Sequence, residues 1–257
     1  MSSRALRVLP LAVALVVGLS ACSGSSADGG GHGQQTLTVF AAASLTDVFT
    51  GLGARLEKQE PGLTVQFNFA GSSALATQIT QGAPADVFAS ANEKQMSVVT
   101  DAGLAADQPA VFASNVLEIA VPKGNPGGVT GLADFGRQDL TLAVCAPDVP
   151  CGAAARQVFT AAGVTAVPDT QEEDVRAALT KVELGEVDAA LVYASDVASA
   201  GNSVEGVAFP EAEQAVNDYP ICVLHGARHP GPAQAFVDLV LSDDGRRALT
   251  DAGFREP

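Results

Sequence analysis

The chain has 257 residues, 47% hydrophobic and 17% charged, with a formal net charge of −15 and no tryptophan. That is ample apolar content for one large or two modest domains. So acidic a balance excludes a surface built for nucleic acid or for charge-driven attachment to anionic lipid.

Arg4 and Arg7 open a basic segment, and Val8 to Leu19 is apolar but too short for a stable membrane span. It ends in LSAC, Leu19 to Cys22. Small residues before a cysteine resemble the lipobox of a bacterial lipoprotein signal. On that reading residues 1–21 are a leader and Cys22 carries a lipid. An ordinary secretory leader with an incidental cysteine is the alternative. Residues 22–35, rich in Gly and Ser, suit a flexible tether, and His32 within it reads as a solvated residue. Loss of the leader removes two arginines and no acid, so the exported chain is two charges more negative.

From Thr36 strands alternate with helices. TLTVF (36–40) reads as a strand, Ser44 to about Lys58 as a helix, LTVQFNF (63–69) as a strand, and a helix follows from about Ser72. ADVFAS (85–90) reads as a buried strand and EKQMSVVTDAG as a helix with Gly103 past its end. VLEIAVPKG (116–124) is a strand ending in a Gly/Pro loop. The pattern restarts with a strand at 140–145, a helix from about Gly152 to Ala162, the helix EEDVRAALTKVELG (172–185) and the strand DAALVYAS (188–195). YPICVL (219–224) is a further strand. Two C-terminal helices follow, the second capped by Ser242 with Asp243 and Asp244 at its positive end. Alternation of this kind predicts an α/β fold of parallel or mixed sheets. The two runs read as two lobes, residues 36–117 with 218–257 and residues 118–217. A chain that crosses between them twice leaves a cleft above a hinge.

Two strand–helix joints stand out: VFAAASLTDVF (39–49) and NFAGSSALATQI (68–79). Each puts small residues and serines where a helix begins. Ligands of open α/β sheets bind beyond the carboxyl ends of the strands, and helix N-termini offer free N–H groups and partial positive charge. Ser44 and Ser72 therefore suit an anion held without Lys or Arg; the plainer reading makes each serine a helix cap. A helix N-terminus contributes ~0.3–2 kcal/mol, and a hydrogen bond to a charged group ~1.5–3 kcal/mol. Five such bonds in a dry cleft reach the roughly 8 kcal/mol that sub-micromolar binding needs. The opposing field of the whole chain is screened beyond ~8 Å, so the local dipoles win.

VFAAASLTDVF, FAGSSALATQITQGAPADVFASA, EDVRAAL and LVYASD, with the later YPICVL and DAGF, resemble the ModA family, the molybdate-binding proteins of bacterial ABC importers. The resemblance spans nearly the whole exported chain. It implies a two-lobed periplasmic-binding-protein fold (type II) with two crossing hinge strands. It also implies an oxyanion held by the Ser44 and Ser72 hydroxyls, the Cys151 and Val175 N–H groups, and the Tyr193 hydroxyl. Gly71 stands where relatives carry a serine, and Cys151 where they often carry alanine. The glycine is not expected to disturb a contact to the ligand. The implied ligand is molybdate, and by the same geometry tungstate, with no separate cofactor. The implied partner is the membrane permease of an ABC importer. The implied location is extracytoplasmic, as a lipid-anchored monomer. Another tetrahedral anion such as sulfate, or a sensor presenting to a receptor, remains open.

Enzyme chemistry finds no support in the sequence. AGSSA is not a G-x-S-x-G elbow, no phosphate-loop sequence is present, and zinc-type Cys/His spacing is absent. His225 and His229 read as surface-loop residues. Two tyrosines, Tyr193 and Tyr219, argue against a tyrosine-rich ferric site. With Cys22 lipidated, three cysteines remain. Cys222 lies in an apolar run and reads as an inert buried thiol. Cys145 ends a strand and Cys151 opens a helix, with two prolines turning the chain between them. Export permits a Cys145–Cys151 disulfide, against the alternative of two free thiols.

Overall fold

The computed structural model describes residues 34–257. The leader, Cys22 and the first twelve tether residues lie outside the described part. Among the described residues no helix is long and apolar enough to cross a membrane.

The first sheet has strand order β2-β1-β3-β10-β4. Its strands are β1 (Gln35–Ala42), β2 (Leu63–Ala70), β3 (Val87–Ala89), β4 (Ala110–Asn115) and β10 (Asn217–Val223). β1 runs parallel to β2 and β3, while β10 runs antiparallel to β3 and β4. α1 (Thr46–Gln59), α2 (Ser72–Thr80), α3 (Glu93–Asp101), α7 (Pro230–Leu241) and α8 (Asp243–Asp251) accompany this sheet. Phe49 and Phe236 meet edge to face at its core, ring centres 5.3 Å apart.

The second sheet has order β7-β6-β8-β5-β9. It is built from β5 (Leu117–Pro122), β6 (Leu142–Cys145), β7 (Thr170–Glu172), β8 (Ala189–Tyr193) and β9 (Val204–Val207). α4 (Pro150–Ala162), α5 (Val175–Glu183) and α6 (Ala194–Ala200) pack with it. Its core runs from Val116 to Ala215 and is separate from that of the first sheet. All five residues of β8 are buried, as expected for an apolar strand inside a covered sheet.

The chain passes between sheets at Val116, between β4 and β5. It returns just before β10, whose Asn217 pairs with Asn115. The two crossings are thus hydrogen-bonded neighbours at one hinge. Several elements differ from the sequence expectation. Of residues 116–124, Leu117–Pro122 form β5, and the crossing itself lies at Val116, just ahead of the strand. The helix expected from Glu172 starts at Val175: Glu172 closes β7, and Asp174 caps α5 by accepting from the Ala177 N–H at 2.9 Å. Ser195 lies in α6 rather than at the end of β8. Ser44 sits in a 3₁₀ turn, Ala43–Leu45, ahead of α1.

Candidate functional site

Four helical starts and one strand end converge. Ser44 lies in the turn after β1, and Ser72 is the first residue of α2 after β2. Cys151 is the second residue of α4, reached from β6, and Val175 is the first of α5, reached from β7. Tyr193 is the last residue of β8. All five line one small cavity between the two sheets, with Gly71, Ala91 and Asp174 among their neighbours. Its volume is about 10 Å³, roughly what one water needs. Among the described residues no Lys or Arg lines it.

Apart from Asp174, the side chains and helix starts that line it offer hydrogens. Neither serine caps its own helix, which removes the plainer reading of the two joints. Ser72 Oγ accepts from the Ala91 N–H at 3.0 Å, so its own hydrogen is free to point inward. Tyr193 Oη accepts from Asn217 Nδ2 at 2.9 Å, and the same amide donates to the Ala91 carbonyl at 2.7 Å. Ser44 Oγ and Tyr219 Oη lie 3.0 Å apart, and either can donate to the other. When Tyr219 donates, the Ser44 hydrogen turns to the cavity. Burial pushes the pKa of Tyr193 and of Tyr219 above the ordinary phenol value, so both stay protonated donors. The Cys151 and Val175 N–H groups, at the open ends of their helices, have no partner among the described residues. The Asp174 carboxylate faces this region, but one of its oxygens is committed to the α5 cap.

The supporting shell explains the placement. Cys145 and Cys151 are joined by a disulfide with Cα atoms 5.7 Å apart, tying the first turn of α4 to the end of β6. Gly152 lets that turn lie against the strand end: a Cβ there would come 2.0 Å from the Ala146 carbonyl oxygen. Asp196 is fully buried and accepts from the Tyr193 N–H at 3.1 Å, fixing the backbone that carries the phenol. Arg176 Nε lies 3.3 Å from the other Asp196 oxygen, an ion pair by distance but not aligned as a hydrogen bond. Burial raises the Asp196 pKa to about 7 against the pull of Arg176 and the Tyr193 N–H. Arg176 also bonds Asp47 of α1, across the cleft.

Asn217, Tyr219 and Asp196 escaped the sequence reading. Their one local signal is polarity inside otherwise buried segments, NDYPICVL and VYASD. Cys222 is a buried free thiol 3.6 Å from the Met96 sulfur, pushed up to about 12 by burial. His225 is exposed and His229 half-buried, outside the cavity. Among the described residues no group of His, Cys, Asp and Glu is arranged to hold a metal ion.

Residues 37–255 match the family model described as bacterial extracellular solute-binding protein. The chain is 46% identical over 247 residues to the molybdate-binding protein ModA of Mycobacterium tuberculosis, covering 95% of each. It is 35% identical over 233 residues to that of Escherichia coli, covering 85% of this chain and 88% of the relative. The periplasmic molybdate-binding protein of Azotobacter vinelandii superposes with a TM-score of 0.74 at 21% identity, over 86% of this chain and 99% of the other. That likeness speaks for the two-lobed periplasmic-binding-protein fold alone. A family match over most of the chain and 46% identity across 95% of it establish that this chain belongs to the ModA family of bacterial extracellular solute-binding proteins.

Proposed function

We propose that the chain binds a tetrahedral oxyanion, molybdate and equally tungstate, between its two sheets and delivers it to the permease of an ABC importer. The observation that carries this reading is the set of five donors that line the cavity, beside a single carboxylate, Asp174, that has one oxygen committed to the α5 cap. Three hydroxyls, each with a protein group beside it to orient its hydrogen, and two unpartnered helix N–H groups meet in a cavity without a basic side chain among the described residues. A fully ionised dianion accepts from every side and carries no proton of its own, so it uses all five donors and leaves none unpaired. Helix N-termini supply the positive potential that the acidic chain lacks. The names of the relatives, molybdate-binding proteins at 46% and 35% identity, favour molybdate among such anions. A cavity of about 10 Å³, roughly the room one water needs, weighs against any ligand with a carbon chain. We further propose that the protein works as a monomer outside the cytoplasm, tethered through a lipid on Cys22, without an enzymatic step or a separate cofactor.

Calorimetric titration with molybdate, tungstate, sulfate and phosphate tests the reading. Sub-micromolar, one-to-one binding of molybdate and tungstate, with sulfate and phosphate at least a hundredfold weaker, is expected. Sulfate binding as tightly as molybdate would replace the assignment with a sulfate carrier.

A further inference from the structure

Gly71 is the N-cap of α2, with φ −58° and ψ 133°, values that any residue adopts. Its lack of a side chain is therefore not required by its own backbone. The requirement comes from across the cleft. A Cβ on Gly71 would lie 2.5 Å from the Glu173 carbonyl oxygen, 3.2 Å from Val149 Cγ1 and 3.7 Å from Asp174 Cβ. All three neighbours belong to the second sheet's side, and the nearest atom is main chain. Val149 can turn its side chain; the Glu173 carbonyl can withdraw only by moving the segment that leads into α5.

The position of this contact in the chain gives it leverage. Gly71 immediately precedes Ser72, and Glu173 stands two residues before Val175. Ser72 and Val175 are donors to the cavity from opposite sides. Relaxing a 2.5 Å contact to an ordinary 3.4 Å separation drives those donors apart by nearly 1 Å, more than the usual 2.7–3.2 Å window for a hydrogen bond tolerates. We infer that in this chain Gly71, although relatives carry a serine at its place, sets how far the cleft closes and thereby how tightly the ligand is held, against the sequence expectation that the glycine leaves the ligand contact untouched. The inference rests on the oxyanion reading for the identity of the ligand, but not for the steric argument.

The test uses Gly71→Ala and Gly71→Ser in the full chain, with Gly51→Ala as control. Gly51 is exposed on α1, and a methyl group placed there would meet nothing within 4 Å. Molybdate titration reads affinity. Spin labels at Lys94→Cys and Arg156→Cys, exposed residues that line one groove from opposite sides of the cleft, read closure with or without an anion. Both Gly71 variants should melt, ligand-free, close to the wild-type temperature: the restricted unfolded chain offsets the poorer N-cap that alanine makes, and serine caps α2 well. Their molybdate affinity should fall at least tenfold through faster dissociation, and the short label distance of the loaded wild type should be lost. Gly51→Ala should change neither. Wild-type affinity in Gly71→Ala, or an unchanged short distance, overturns the inference, as does a wild-type chain with no short-distance population. A wild type that closes but binds none of the oxyanions refutes the ligand assignment alone, and the distances still decide the role of Gly71.

Discussion

At the scale of single residues, the Ser44–Tyr219 pair separates direct donation from orientation. The Ser44 hydroxyl faces the cavity, whereas Tyr219 is fully buried behind it, 3.0 Å away. Ser44→Ala should weaken molybdate binding by about 1–3 kcal/mol, the range for losing one hydrogen bond to a charged acceptor. Tyr219→Phe leaves that hydroxyl in place but removes the partner that turns its hydrogen inward. It should cost about 1 kcal/mol, and the double variant should be little worse than Ser44→Ala alone. Calorimetry on the four proteins closes the cycle; fully additive losses would mean that Tyr219 does not act through Ser44. The sequence exposes the two halves of this pair unequally. Ser44 is visible because small residues mark a strand–helix joint. Tyr219 looks like any apolar strand residue, since its partner is 175 positions away and only the folded topology brings them together.

At the scale of elements, the disulfide and the α5–α6 ion pair hold donors in place by different means. The Cys145–Cys151 loop is short, so the chain-entropy account gives it only about 2 kcal/mol of stability. Its larger effect is on α4, whose Cys151 N–H faces the cavity. Reduction should leave the circular dichroism of the fold intact while molybdate affinity falls severalfold; an unchanged affinity would show that Gly152 packing alone positions this helix start. Asp196 gives a pH signature. Its folded pKa of about 7 lies above the ordinary carboxyl value of 3.8, so between those values the folded chain holds a proton that the unfolded chain has released. The Asp196 contribution to stability is therefore full below the unfolded pKa and is lost as pH rises through about 7. Arg176 partly offsets the loss, while Asp174 and Asp47 add to it. Asp196→Asn, which keeps an acceptor for the Tyr193 N–H, should flatten the melting temperature across this window relative to wild type. A parallel pH profile in the variant would count against Asp196 as the titrating group. Elements are legible in the sequence where apolar runs are long. β4 escapes because Pro109 and the small residues of AVFASN resemble a loop. β7 and β9 are short edge strands with little apolar pattern, and α6 follows β8 without a turn.

At the scale of the whole molecule, closure must overcome the acidity of both halves of the chain. Among the described residues, polar links between the two lobes outside the cavity include Gln95 Nε2 donating to the Asp148 carbonyl at 3.1 Å, Arg176 bonding Asp47, and a two-pronged pair between Arg255 and Glu213 at 2.7 and 2.9 Å. Alternating strands and helices make the two-sheet plan readable in the sequence, but no local pattern announces a pair 129 residues apart. The Asp47 side chain is 62% exposed and that of Arg176 26%, so the pair contributes at most ~1 kcal/mol to the closed form. Asp47→Asn tests it more cleanly than a change at Arg176, which would strip the buried Asp196 of its counter-charge. The substitution has two opposed effects on anion binding. It removes the link that favours closure, and it also removes one negative charge from the field that an incoming dianion meets. The second effect is screened beyond ~8 Å at physiological salt, whereas the first acts at contact distance, so the link should prevail. Molybdate should dissociate up to about fivefold faster from Asp47→Asn at low salt, with its association rate equal or slightly raised. Near 1 M salt, where the screening length shrinks to ~3 Å, the difference from wild type should fade. Stopped-flow measurement of both rates across a salt series decides the matter: slower dissociation from the variant at every salt concentration would show that relief of acidity, rather than the Asp47–Arg176 link, governs closure.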